Sequence, residues 1–141
     1  MRALVKAERS EGLVMRDEPV PQIGPDDILI KVAKTGICGT DLHIWKWDEW
    51  AQKTIPVPMV VGHEFAGVVA EVGSHVRTVK VGDRVSGEGH LIGMKSRMVR
   101  AGHFHLDPET KGIGVNVPGA FAEYLKLPAF NAIHLPPEVD D

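Results

Sequence analysis

Cysteine is almost missing from this chain: Cys38 is the only one in 141 residues. A lone thiol excludes an intrachain disulfide, so no covalent staple contributes to the fold. Long apolar runs are missing as well. No stretch approaches the roughly 18 residues that a membrane-spanning helix needs. Basic residues never gather into a run, and a formal charge of −3 with a pI near 6.1 excludes the electrostatic footprint of a nucleic-acid binder. The start, Met1-Arg2-Ala3-Leu4-Val5-Lys6-Ala7, has no apolar h-region and predicts no secretory leader. Together these absences predict a soluble cytoplasmic domain. At 43% hydrophobic residues there is enough apolar surface for one domain with a real core.

Helical periodicity is weak, with short candidates only at 40–45 and 94–100. Fifteen glycines and ten prolines instead separate short runs rich in Val, Ile and Leu. Residues 27–33, 65–72, 84–86, 121–126 and 131–135 read as strands from their β-branched content and flanking turn residues. Clean two-residue alternation is scarce. Glu18-Pro19-Val20-Pro21 and Ile55-Pro56-Val57-Pro58 predict extended backbone, because proline restricts the residue before it. Gly82-Asp83, after Val79-Lys80-Val81, predicts a turn between two strand candidates. Many short strands with regular turns point to a mainly β fold, a barrel or sandwich.

Another absence is a dinucleotide-binding turn. That turn needs Gly-x-Gly-x-x-Gly between a strand and a helix. Gly87-Glu88-Gly89-His90-Leu91-Ile92 and Gly112-Ile113-Gly114-Val115-Asn116-Val117 both lack the third glycine, and neither opens a long helical pattern.

Against these gaps stands one concentration of chemistry. Cys38 lies in Cys38-Gly39-Thr40-Asp41-Leu42-His43, and Gly62-His63-Glu64 follows. A thiolate, a neutral imidazole and a carboxylate are ligand types that a catalytic Zn²⁺ takes, with one position left open for water or substrate. Cys38 would supply the thiolate and His63 a ring nitrogen. Glu64 would bind the metal directly or orient its ligands from outside. His90 is equally readable as a pocket residue or a loop histidine, while His75 and His134 read as surface residues. Trp45, Trp47 and Trp50 could wall a pocket or serve packing.

Gly62-His63-Glu64-Phe65-Ala66-Gly67, followed by Gly73 and Val76, resembles the zinc signature of the medium-chain, zinc-dependent alcohol dehydrogenases. Val79-Lys80-Val81-Gly82-Asp83-Arg84-Val85 resembles their next strand turn. Residues 37–44, Trp47-Asp48-Glu49-Trp50-Ala51-Gln52-Lys53, Ser86-Gly87-Glu88-Gly89-His90 and Gly119-Ala120-Phe121-Ala122-Glu123-Tyr124 are similar to the L-threonine 3-dehydrogenase branch. The likeness runs from Met1 to about Pro137. It implies that residues 1–141 form one GroES-like catalytic domain, a partly open β-barrel with a few short helices. It implies one catalytic Zn²⁺, a Lewis acid on the oxygen of L-threonine or a similar small alcohol. It also implies a proton relay through Thr40 and His43, histidine being suited by a pKa near neutrality.

The resemblance exposes two further gaps. The family's nicotinamide (NAD) domain has no counterpart here, which predicts no hydride transfer by this chain alone. The family also carries a structural zinc lobe held by four cysteines. The corresponding positions are Gly93, Ser96, Val99 and Asp107, so 91–107 is an altered lobe, expected to be mobile and packed at best by Met94, Met98 and Val99. His103, His105 and Asp107 could share one face only if extended. The two gaps together suggest an engineered simplification, and surface left uncovered predicts weak self-association. Two other readings stay open: a standalone zinc hydrolase, and a metal-free structural module.

Overall fold

The apolar runs between glycines and prolines become strands in the computed structural model, which describes residues 1–140. In chain order the elements are β1 (Arg2–Lys6), β2 (Val14–Asp17), β3 (Asp27–Gly36), α1 (Gly39–Lys46), α2 (Glu49–Thr54), β4 (Met59–Val60) and β5 (Glu64–Val72). They continue with β6 (Arg84–Gly87), β7 (His90–Leu91), α3 (Arg97–Arg100), β8 (Lys111–Gly112), β9 (Tyr124–Pro128) and β10 (Ala132–His134). The architecture is mainly β, as the sequence predicts. A curled five-stranded antiparallel sheet runs β10-β6-β5-β3-β9, beside a three-stranded sheet β2-β1-β4 and the small pair β7-β8. Ala3 bridges Ala122 and joins the two larger sheets. Among the described residues, no helix is long and apolar enough to cross a membrane.

The scarcity of clean alternation has a cause in β3. Its pairing with β5 shifts register between Leu29 and Ile30 and again between Val32 and Lys34. The first leaves an extra residue, Ala70, on β5; the second leaves Ala33 on β3, which bends that strand and resets its two-residue period there. Ile28, Leu29 and Ile30 are all buried. Ile28 and Ile30, with Phe65, Val69, Val85, Leu125 and Leu127, form the barrel core. A second core of Ile44, Trp47, Ala51, Ile55, Met59 and Val61 lies under α1 and α2.

Two sequence expectations need correction. Val79-Lys80-Val81 is not a strand: Val79 is buried in the barrel core, and the chain turns through Val81 and Gly82, whose φ is +93°. β1 and β2 were not predicted. β1 ends on Lys6, fully buried, whose Nζ donates to the carbonyls of Ser10, Gly12 (2.9 Å) and Trp45 (3.3 Å) and sits 4.9 Å from the Trp47 ring centroid. A lysine reads as surface, but three carbonyls match the three donors of an ammonium and offset its desolvation. Lys6 thereby ties the 10–12 loop to the C-terminal end of α1.

Asp83 closes the turn into β6. Its carboxylate accepts from Lys80 N–H (2.9 Å), Lys80 Nζ (3.0 Å) and His134 Nε2 (3.1 Å) on β10. These contacts, the Lys80 amide foremost, hold its pKa down to about 2 from 3.8. The folded value lies below the unfolded one, so its stabilisation is complete above about pH 4 and is lost as the pH falls towards 2. Asp83→Asn is therefore expected to lower the Tm at neutral pH and to flatten its fall between pH 4 and 2. Thermal unfolding across that range checks it; a variant curve parallel to wild type would contradict it.

Candidate metal centre

Cys38 occupies the N-cap of α1, in extended backbone, and is half-buried. The local sequence explains this placement. Thr40 N–H donates to Cys38 Sγ (3.3 Å), and Cys38 N–H donates to Asp41 Oδ2 (2.9 Å), a reciprocal capping box built on sulfur and a carboxylate. His63 arrives from the loop before β5, and its Nε2 lies 3.1 Å from Cys38 Sγ. Behind the ring, Asp41 is buried, with Oδ1 4.0 Å from His63 Nδ1. Neither of those two atoms has a hydrogen-bond partner.

One carboxylate thus faces both donors. Its Oδ2 fixes the backbone of Cys38, and its Oδ1 faces the far side of the His63 ring. Metal-bound histidines ordinarily give their other N–H to such a carboxylate, which sets ring tautomer and direction. A sulfur and a nitrogen converging, with the unpartnered Oδ1 of a buried carboxylate behind the imidazole, is a donor set that fits zinc. Ligand atoms of Cys38, Asp41 and His63 all lie within 4.8 Å of one another.

The other site residues from the sequence fall around this group. Thr40 is half-buried in the first turn of α1. Glu64 is not brought into the group: it opens β5 opposite Gly36, exposed, with its side chain lying against that glycine. The chain becomes extended there, so successive side chains diverge. His43 is exposed, and its Nδ1 is bonded to Asp48 Oδ2. Asp41 was missed by sequence reasoning; its one signal was an acidic residue at the third helical position of a capping box.

His63 is also fixed from behind. Gly62 has φ +91°, and an added Cβ would lie 2.6 Å from Phe121 Cγ. Gly114 and Gly119 press against it so closely that a Cβ on Gly114 would meet Gly62 C at 2.7 Å. Ala120 N–H donates to Gly62 O (2.8 Å). Three bare backbones stack here because side chains would hold them apart.

A cleft of about 550 Å³ opens beside His63, lined by Thr40, Trp50, His63, Glu88, His90 and Val115. The His90 backbone N–H and ring, in that order, hold the Glu88 carboxyl below the usual range. A larger groove of about 680 Å³, between Glu18, Val20, Leu91 and Tyr124, has neither cysteine nor histidine in its walls. Neither glycine pair precedes a helix that could open on a phosphate: Gly87 and Gly89 lead into β7, and Gly112 and Gly114 lead into a turn.

Residues 91–107 are held by hydrogen bonds at the positions the resemblance aligns with cysteines. Asp107 is buried, and its carboxylate accepts from Gly93 N–H (2.6 Å), Glu109 N–H (3.4 Å) and the Ser96 hydroxyl. Burial alone would raise its pKa; these bonds outweigh that and hold it below the usual carboxylate range. Ser96 also caps α3 through Val99 N–H (3.2 Å), and Val99 is buried. Met94 does not pack as predicted: it is exposed, because the helical pattern begins only at Arg97. His103, His105 and Asp107 do not share an extended face, since Phe104–Leu106 makes a 3₁₀ turn. Asp107→Ala is expected to lower amide protection across 91–107 and leave the barrel strands protected, while chelators leave the wild-type lobe unchanged. Hydrogen exchange measures both; chelator-induced opening would contradict a metal-free lobe.

The fold is a β-barrel domain that brings cysteine and histidine donors together at a helix cap and a strand entry. The alcohol dehydrogenase GroES-like domain family matches residues 24–137, and the chain belongs to that family. An L-threonine 3-dehydrogenase of Ruegeria pomeroyi is 64% identical over the whole chain, which covers 41% of that relative. An alcohol dehydrogenase from Thermus sp. ATN1 superposes with a TM-score of 0.85 at 33% identity, covering 99% of this chain and 41% of the other. A cobalt- and zinc-bound thermostable alcohol dehydrogenase from Pyrobaculum aerophilum gives 0.83 at 30% identity, covering 99% and 42%. The chain therefore spans about two-fifths of the length of the relatives it matches.

Proposed function

We propose that these residues are the zinc-holding catalytic domain of an L-threonine 3-dehydrogenase-like oxidoreductase. The observation that carries this reading is the convergence of Cys38 Sγ and His63 Nε2, 3.1 Å apart, beside a cleft that His63 lines. Zinc, when bound there, would polarise an alcohol oxygen as a Lewis acid. The chain's own residues do the rest. Cys38 and His63 hold the ion, and Asp41 orients both. Thr40 lines the cleft beside them and passes the alcohol proton towards His43, which stands exposed to solvent. Glu64 serves as an outer carboxylate beside His63. Glu88 keeps a negative charge in the cleft, which suits an amino alcohol such as L-threonine better than an aliphatic one.

The hydride acceptor in this reading is a nicotinamide cofactor that residues 1–141 do not bind, so the isolated chain leaves threonine unoxidised. It acts in the cytoplasm and self-associates weakly through exposed apolar residues such as Ile37, Phe130 and Ile133. Elemental analysis of the purified chain, with an activated-ester assay lacking nicotinamide, tests the reading. About one zinc per chain and no ester turnover are expected. A metal-free protein would leave a structural module, and zinc-dependent ester turnover would make it a hydrolase.

A further inference from the structure

His43 ends the proposed relay, yet it is exposed, and an exposed imidazole is free to hold its proton on either nitrogen. Only a ring protonated on Nδ1 leaves Nε2 open to accept. The fold addresses this at the corner between α1 and α2. Trp47 takes a left-handed conformation, φ 56°, stopping α1 and turning the chain back on itself. Asp48 then faces the helix just left, and its Oδ2 bonds His43 Nδ1. The other oxygen is committed: Asp48 Oδ1 accepts Ala51 N–H (3.0 Å) and caps α2. Trp50, in the first turn of α2, sets its ring at 65° to His43 with centroids 6.1 Å apart, and the same indole lines the cleft with Thr40 and His63.

We propose that Asp48 is a positioning residue that fixes His43 in its Nδ1–H tautomer and aims Nε2 as the relay's acceptor. This rests on the relay assigned to Thr40 and His43 above. An ionised carboxylate only accepts, so the proton between it and Nδ1 belongs to the ring. The Ala51 amide, then the His43 ring, hold the Asp48 carboxyl below its usual range, which keeps it ionised. Because one carboxylate serves helix cap and imidazole together, the tautomer is built into the α1–α2 corner.

Two-bond ¹H–¹⁵N correlation spectra of the zinc-loaded chain, at a pH where His43 is neutral, read the tautomer directly. Wild type is expected to hold His43 wholly as Nδ1–H. In Asp48→Asn the amide oxygen keeps the Ala51 cap and the NH₂ donates to the ring, so His43 is expected to switch to Nε2–H. Asp48→Ser keeps a cap and removes the contact, so α2 amide protection is expected to persist while the tautomers mix. A wild-type proton on Nε2, or one tautomer unchanged in all three proteins, would overturn the proposal. Zinc content measured on the same samples keeps the two ideas apart. Zinc bound with no tautomer preference sinks only the role of Asp48, and a fixed tautomer with no zinc sinks only the metal reading.

Discussion

Cys38→Ala is expected to abolish tight zinc binding, taking the chain from about one ion per molecule to none after dialysis. Losing an outer carboxylate alone typically weakens a site by about 10–100-fold; losing the sole thiolate removes a direct donor and should exceed that. The substitution also deletes the sulfur that caps α1, where Thr40 N–H donates to Sγ. Cap loss costs about 0.5–2 kcal/mol, so some loss of stability is expected even without metal. Cys38→Ser separates the two effects. A serine oxygen restores the cap but is a poor zinc ligand, so stability should recover while zinc does not. Inductively coupled plasma analysis and thermal unfolding of both variants check this; full zinc in either would contradict the ligand assignment.

Gly62→Ala is expected to be among the most damaging single substitutions in the chain. Alanine at φ +91° is strained, at about 1–2 kcal/mol, and its Cβ would drive into the Phe121 ring. Relief is blocked because Gly114 and Gly119 already touch this backbone. Strain and overpacking together predict a loss of about 3 kcal/mol or more, roughly 10 °C in Tm. His63 is the next residue, so the surviving fold should also bind zinc more weakly. Calorimetry with zinc titration measures both; an unchanged Tm would mean that the glycine stack is not tightly packed.

Much of this was legible in the sequence, for identifiable reasons. Five of the strands were marked by β-branched runs between turn residues, and α1 by its short periodic pattern. Cys38 and His63 could be paired because their flanking motifs were both intact. What escaped reading depends on tertiary contact. Lys6 hid β1, because nothing in one residue announces three distant carbonyls waiting for it. The extra residue Ala33 in β3 reset its period. Asp41 sat between two conspicuous residues and looked like an ordinary helix-capping acid. Its Oδ1 matters only because the loop before β5 brings His63 beside it. The altered lobe was read as four lost thiols. The buried Asp107 carboxylate that joins Gly93, Ser96 and Glu109 appears only when the loop closes.

X-ray absorption at the zinc edge of the purified chain tests the central claim most directly. The site described here has one cysteine and one histidine among its donors, in a sequence with no other thiol. The spectrum should therefore contain one sulfur scatterer at about 2.3 Å and nitrogen or oxygen scatterers at about 2.0–2.2 Å. A shell of nitrogen and oxygen alone would place the metal elsewhere and contradict a centre built on Cys38 and His63.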